Sequence, residues 1–226
     1  MWLLLSGSEP VSPWYARTLR SAAEHRAGAA VFVLDFVPGV TDLPDRLPAR
    51  RFWLDAAPGG GGSAPRYSTV GCIEGKVGGP DETWRNGYYR DGKPVLTITE
   101  RGGATIVEDY DGFGEPVRRE EIDQDGKLIR LVDLHPSDGR EVTHRYLNAD
   151  GECWLSVWVD PEDGRLGRTQ RHRGDVREFP TLRAAQAAWV AGQISGPTPR
   201  ILVSGRGAEE VAELVKDVVE PSTKGI

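Results

Sequence analysis

The stretch His144–His172, HRYLNADGECWLSVWVDPEDGRLGRTQRH, sets an Asp-Gly pair on each side of a strand-like run that carries two tryptophans. Asp-Gly favours the positive φ angles of tight hairpins, so the stretch reads as turn, strand, turn. The phrasing recurs upstream. Asp-Gly pairs fall at Asp91-Gly92, Asp111-Gly112, Asp125-Gly126, Asp138-Gly139, Asp150-Gly151 and Asp163-Gly164, at separations of 20, 14, 13, 12 and 13 residues. Between them lie KPVLTITE, ATIVEDY, PVRREEID, KLIRLVDLH, EVTHRYL and ECWLSVWVD. A turn at this spacing leaves one strand of modest length per interval, which predicts an up-and-down antiparallel meander over residues 67–176.

The faces of these strands differ. In PVRREEID one side carries Val117, Arg119, Glu121 and Asp123, so this strand is expected to be largely solvated. The charges of RREE and those near Asp109 then suit a sheet edge that discourages aggregation. In ECWLSVWVD, Cys153, Leu155, Val157 and Val159 fall on one side and Trp154, Ser156 and Trp158 on the other. Both sides are apolar, so both should be covered, by the same chain or by a partner.

Outside the meander the pattern changes to α/β. WLLL (Trp2–Leu5) is a short apolar run of the kind parallel strands show, and it breaks at Ser6-Gly7-Ser8. Pro13 can open a helix over WYARTLRSAAEHRA, with Trp14, Leu19 and Ala22 toward one side, before a second apolar strand, AAVFVLDF. Residues 46–66, rich in Pro and Gly with GGGGS at 59–63, read as a flexible linker. After the meander, Thr181 is placed to cap a helix bearing Leu182, Ala185, Trp189 and Val190 on one stripe. RILVSGRG is a third strand ending in a glycine turn. AEEVAELVKDVVE then follows as an amphipathic helix with Val211, Leu214, Val215 and Val218 on one face and Glu209 and Glu210 in its first turn.

The domain reading is therefore an α/β unit in two pieces, 1–45 and 177–226, joined through the linker 46–66 and the inserted meander 67–176. Only three parallel-type strands are counted, where a doubly wound sheet usually has five or more. The chain is accordingly expected to be the N-terminal part of a longer protein.

Composition narrows the function classes. Thirty-eight per cent hydrophobic residues and seven tryptophans supply real cores. A net charge of −6 argues against a general binder of nucleic acid or anionic membrane, which needs a basic field. Cys72 and Cys153 are too few for a disulfide scaffold, and Cys153 reads as a buried thiol. The apolar block Trp2–Leu5 is too short for a signal sequence or a membrane span, so a cytoplasmic location is expected.

Ligands of open α/β sheets gather at the carboxyl ends of the strands. That selects Ser6, Gly7 and Ser8 after the first strand, and Ser204, Gly205 and Arg206 after the third. Glycine permits close backbone approach, and Arg206 could pair with a phosphate. The alternative is an ordinary strand-to-helix turn with a solvated arginine. Trp154 and Trp158 could stack on sugar rings or bind a partner, or could simply pack against the rest of the chain. His135, His144 and His172, spaced by nine and 28 residues, match no metal signature and read as surface or half-buried histidines. Asp160, Glu162 and Asp163 in DPEDG fit a turn better than a calcium loop.

The order of YLNADGECWLSVWVDPEDGRLGRTQRH, FPTLRAAQAAWVAGQI and TPRILVSGRG resembles the N-terminal half of bacterial GT-B glycosyltransferases of the family-4 type that carry an inserted β-meander. These include wall-teichoic-acid glycosyltransferases and the accessory-secretion enzymes that modify serine-rich adhesins. The likeness runs from about Tyr89 to Val219, and over the first 40 residues in layout alone. It implies a partial Rossmann-like lobe interrupted by the meander. It also implies transfer from a UDP-sugar, with retention, to a polyol-phosphate polymer or a Ser/Thr-rich protein. No metal or cofactor is implied, and catalytic groups are expected beyond Ile226, leaving residues 1–226 inactive alone. The meander would recruit acceptor, or pair with another copy or subunit. Family members commonly carry Gly-Gly in the first strand-to-helix loop, where this chain has Gly7 alone. The rival reading is a non-catalytic meander-repeat or chaperone module that binds a protein.

Overall fold

The acidic and glycine residues between strands build turns of two repeated designs. In the computed structural model, which describes residues 2–5, 30–34, 49–55, 57, 82–84, 86–101, 103–172, 174, 176–194, 201–204 and 207–219, three loops share the frame Asp/Asn-x-x-Gly-x. They are Asp111–Glu115, Asp123–Lys127 and Asn148–Glu152. In each, the first side chain accepts hydrogen bonds from the backbone N–H groups two and four residues on; for Asp123 these come from Asp125 (2.9 Å) and Lys127 (2.8 Å). The fourth residue is glycine at positive φ: Gly114, Gly126 and Gly151. This is a type I turn closed by a left-handed glycine. The loops His135–Arg140 and Asp160–Arg165 share a second frame, Pro-x-Asp-Gly-Arg, with Gly139 and Gly164 left-handed.

Of the six Asp-Gly pairs, only Asp91-Gly92 forms the two-residue hairpin with both residues at positive φ. Asp111-Gly112 was the wrong frame to read, because the left-handed residue there is Gly114.

By contacts the chain divides into two units, Met1–Ala57 with Phe179–Ile226, and Pro58–Glu178. In the second, β4 (Glu82–Trp84), β5 (Gly87–Arg90), β6 (Lys93–Arg101), β7 (Ala104–Tyr110), β8 (Pro116–Ile122), β9 (Leu128–Leu134), β10 (Glu141–Leu147), β11 (Cys153–Val159), β12 (Leu166–Arg171) and β13 (Arg177–Phe179) lie side by side in chain order. The meander is thus a single ten-stranded sheet among the described residues. One apolar cluster gathers Leu96, Val107, Ile122 and Leu128, with Tyr88, Ile98, Leu131 and Leu147 packed on it. On β11 the residues Trp154 to Val157 are all buried, so both faces are covered as expected. Cys153 is half-buried rather than buried.

Strand β8 corrects the sequence reading. It is interior, flanked by β7 and β9, and Glu120, Glu121 and Ile122 are buried. Its charges are tolerated there because cross-strand partners meet them: Arg119 bonds Glu108 and Glu141, and Glu121 bonds Arg130.

Among the described residues, the other unit holds a four-stranded parallel sheet in the order β14-β1-β2-β3, built from β1 (Trp2–Leu5), β2 (Ala30–Val33), β3 (Ala49–Arg51) and β14 (Ile201–Ser204). Strand β3 and the short helix α1 (Phe52–Asp55) fall in the segment expected to be a linker. Phe52 and Trp53 are buried, and Trp53 Nε1 donates to the Leu34 carbonyl at 2.8 Å. Residues 58–66 of that segment, and the predicted helix from Trp14, lie outside the described residues.

Helix α2 (Leu182–Gln193) begins where Thr181 caps it, its hydroxyl accepting from Ala184 N–H at 3.1 Å. With α3 (Ala208–Val219) it closes a core of Phe32, Leu34, Ala187, Val190, Ala208, Val211, Ala212 and Val215. Trp189 sits edge-on to Phe32 and Phe52 at centroid distances of 5.4 and 5.6 Å.

Candidate functional site

The parallel sheet grows from β1 in two directions. The chain adds β2 and then β3 on one side, and after the meander adds β14 on the other. Strand β1 is therefore a topological switch point, and the crevice beyond the carboxyl ends of β1 and β14 is where open α/β sheets take their ligands. The register brings those ends level: Leu5 lies beside Ser204 on one side and beside Val33 on the other. The loops nominated from sequence thus leave the sheet from adjacent strands. Ser204 is the last residue of β14, while Ser6, Gly7, Ser8, Gly205 and Arg206 lie outside the described residues.

The structure adds a residue that sequence reasoning missed. Gly207, at φ +88°, leads into α3, and a Cβ there would collide with the guanidinium of Arg183. Arg183 reaches this point from the first turn of α2 and is oriented by its Nη1, which donates to Gln186 Oε1 at 3.0 Å. Gln186 is itself fully buried, its Nε2 donating to the Leu34 carbonyl at 2.7 Å. A guanidinium is thereby fixed against the N-terminal end of α3, which carries the positive pole of the helix dipole. Two positive groups held together in this way favour an anion between them. No motif marked Arg183; only the meeting of α2 with the β14–α3 turn does.

In the meander, Trp154 is 1% exposed, so its ring is packing within the sheet and offers no face to a sugar. Trp158 is half-buried, with the Arg168 guanidinium 4.2 Å from its ring centroid. His144 corrects the expectation of a surface or half-buried histidine: it is buried beside Glu141 and Tyr146. Its Nε2 donates to Glu141 Oε2 at 2.8 Å, since a carboxylate can only accept. Glu141 Oε1 also accepts from Arg119 Nη1 at 2.6 Å. The His144 hydrogen bond, with the neighbouring positive charges, holds the Glu141 carboxyl down to about 2, against an opposing contribution from burial. Burial pushes the Tyr146 phenol up to about 12. Among the described residues no group of three His, Cys, Asp or Glu side chains converges as a metal site.

A carboxyl held below its ordinary value stabilises the fold above that value, and the stabilisation fades as pH falls toward about 2. A Glu141→Gln variant is therefore expected to lose stability at neutral pH. Its side chain is 37% exposed, so solvent screening reduces the expected loss to about 1–2 kcal/mol. Unfolding curves of parent and variant should differ at pH 7 and converge near pH 2. A difference that persists in acid would contradict this.

No protein-family model matches the chain, and no curated protein does. Solved structures do match. The chain is similar to an S. aureus TarM mutant in complex with fondaparinux, α-GlcNAc-glycerol and UDP (TM-score 0.70, 10% identity, covering 94% of this chain and 47% of that one). It is similar to accessory secretory protein 1, 2 and 3 of Streptococcus pneumoniae (TM-score 0.61, 13% identity, 93% and 49%). It is also similar to the pneumococcal O-GlcNAc transferase GtfA in complex with UDP and GlcNAc (TM-score 0.50, 12% identity, 94% and 46%). The likeness is one of fold, and the chain spans just under half the length of these proteins. Among the described residues, no helix is long and apolar enough to cross a membrane.

Proposed function

We propose that this chain is the acceptor-side portion of a retaining glycosyltransferase that moves a sugar from a UDP-sugar to a polyol-phosphate polymer or a Ser/Thr-rich protein. The observation that carries the reading is the switch point at β1, where Leu5 and Ser204 stand side by side. Support comes from a fold shared over more than nine-tenths of the chain with structures that hold UDP. In this reading the four parallel strands are half of a Rossmann-like lobe, and the meander is an insertion that recruits acceptor or pairs with a further copy or subunit.

Each site residue then has a physical role. The loop after β1, with Ser6, Gly7 and Ser8, and the end of β14 at Ser204, followed by Gly205, are the candidate donor-sugar contacts. Arg206 and Arg183 supply positive charge for a phosphate of the bound substrate, aided by the helix dipole of α3. A cation that pairs with a substrate phosphate acts on binding and positioning, so removing one should lower substrate use more than it weakens the fold.

The test is transfer from a UDP-sugar by the full-length gene product. Arg206→Ala and Arg183→Ala are each expected to lower kcat/KM about 10- to 100-fold, with Arg183→Lys recovering part of the loss. Full rates in both alanine variants would remove the site from the reading. Binding of a Ser/Thr-rich polypeptide with no consumption of any UDP-sugar would favour the non-catalytic module.

A further inference from the structure

One end of the meander carries a second concavity. The β5–β6 and β7–β8 turns and the strands leading from them enclose a cleft of about 640 Å³. Its lining mixes both signs: Lys93 and Arg118 stand among the carboxylates of Asp109 and Glu120, with the Tyr110 phenol beside them. Adjoining it in the same turn is Phe113, 84% exposed.

That exposure is built into the turn. Asp111 Oδ1 accepts from the Phe113 N–H at 2.8 Å and from the Glu115 N–H at 3.0 Å. These bonds, led by the one from Glu115, hold the Asp111 carboxyl below its ordinary value. Gly114 lies against Pro94, and Lys93 Nζ donates to the Gly112 carbonyl at 3.0 Å while standing 5.7 Å from the Phe113 ring centroid. An aromatic ring is thus presented to solvent by a turn fixed from three directions, next in sequence to Gly112, which lines the cleft.

We propose that this cleft binds a neutral oligosaccharide. Three cations (Arg90, Lys93 and Arg118) face four carboxylates (Asp91, Asp109, Asp111 and Glu120), so a polyanion gains no net field, and Val95 adds an apolar portion to the wall. A sugar uses both signs, because every hydroxyl donates and accepts. Its C–H face is apolar and matches the exposed ring of Phe113. The site lies wholly within the meander and does not depend on the glycosyltransferase reading.

The test is an NMR titration of the whole chain with neutral gluco-, N-acetylgluco- and manno-configured tetrasaccharides, and separately with poly(glycerol phosphate). At least one tetrasaccharide should shift the amides of residues 109–114. Phe113→Ala should weaken that binding about tenfold or more, and Phe113→Trp should preserve it. Phe113 is a surface residue, so both variants should fold as the parent does. No shift with any tetrasaccharide, or shifts elsewhere that ignore Phe113, would overturn the proposal. Binding of poly(glycerol phosphate) alone, lost in Lys93→Ala and kept in Phe113→Ala, would overturn it in favour of an anion site. Loss of UDP-sugar transfer in the full-length protein would leave this result untouched, so the two readings fail separately.

Discussion

An Arg130→Met variant should be less stable in the meander by about 3–5 kcal/mol, among the largest effects expected of any single change in this chain. Arg130 lies across from Glu121 in the β8–β9 register, and its Nε and Nη2 grip the two carboxylate oxygens, the first at 3.0 Å. Its guanidinium also lies 5.8 Å from the Tyr146 ring centroid. The Glu121 side chain is 6% exposed, so methionine would strand a carboxylate away from water. The cost is the desolvation of that orphaned charge more than the loss of an attraction. Arg130→Met with Glu121→Leu removes both charges and should recover most of the lost stability. Hydrogen exchange at the β8, β9 and β10 amides would report the local change in each variant. A double variant as unstable as the single one would show that the pair holds the sheet together by more than mutual neutralisation.

Trp154→Ala should cost a similar amount, about 3–5 kcal/mol, through the cavity left by the largest of the fully buried side chains. Trp158→Ala should cost much less, near 1 kcal/mol, because that ring is half-buried already and Arg168 covers one face. Denaturant unfolding of the two variants would measure the contrast. Equal effects would mean that the two tryptophans share one role, against the division between core and surface that their exposures describe.

The meander was legible because its turns are written in residues with local consequences. Aspartate and glycine shape a loop whatever surrounds it, and the strand count follows from their spacing. The helix start at Thr181 was legible for the same reason, being set by a hydroxyl and an N–H three residues away. Strand β8 was misread because Arg119 and Glu121 look solvated until their partners on β7, β9 and β10 are known. Those partners lie nine to 22 residues off. Strand β3, three residues with two arginines, carries no apolar signal and gains its place only by pairing with β2. The loops beyond β1 and β14 were nominated from the strand ends alone, and that they leave from adjacent strands depends on sheet order. Arg183 was invisible because its relevance arises from Gly207, which is remote in sequence and close in space.

The pairing of Trp2 with Ile201 has a further meaning for how the molecule is made. Every strand of the meander pairs with a chain neighbour, so the meander can zip up hairpin by hairpin as it emerges from the ribosome. The parallel sheet cannot. Strand β1 is synthesised before the insertion, yet its partner β14 arrives only after it. Until then β1 lacks one of its two sheet neighbours. A meander that folds early shortens the effective loop between them and lowers the entropy of bringing them together. The insertion thus sets the timetable of assembly: β14 can complete the sheet beside β1 only after the whole meander has been made.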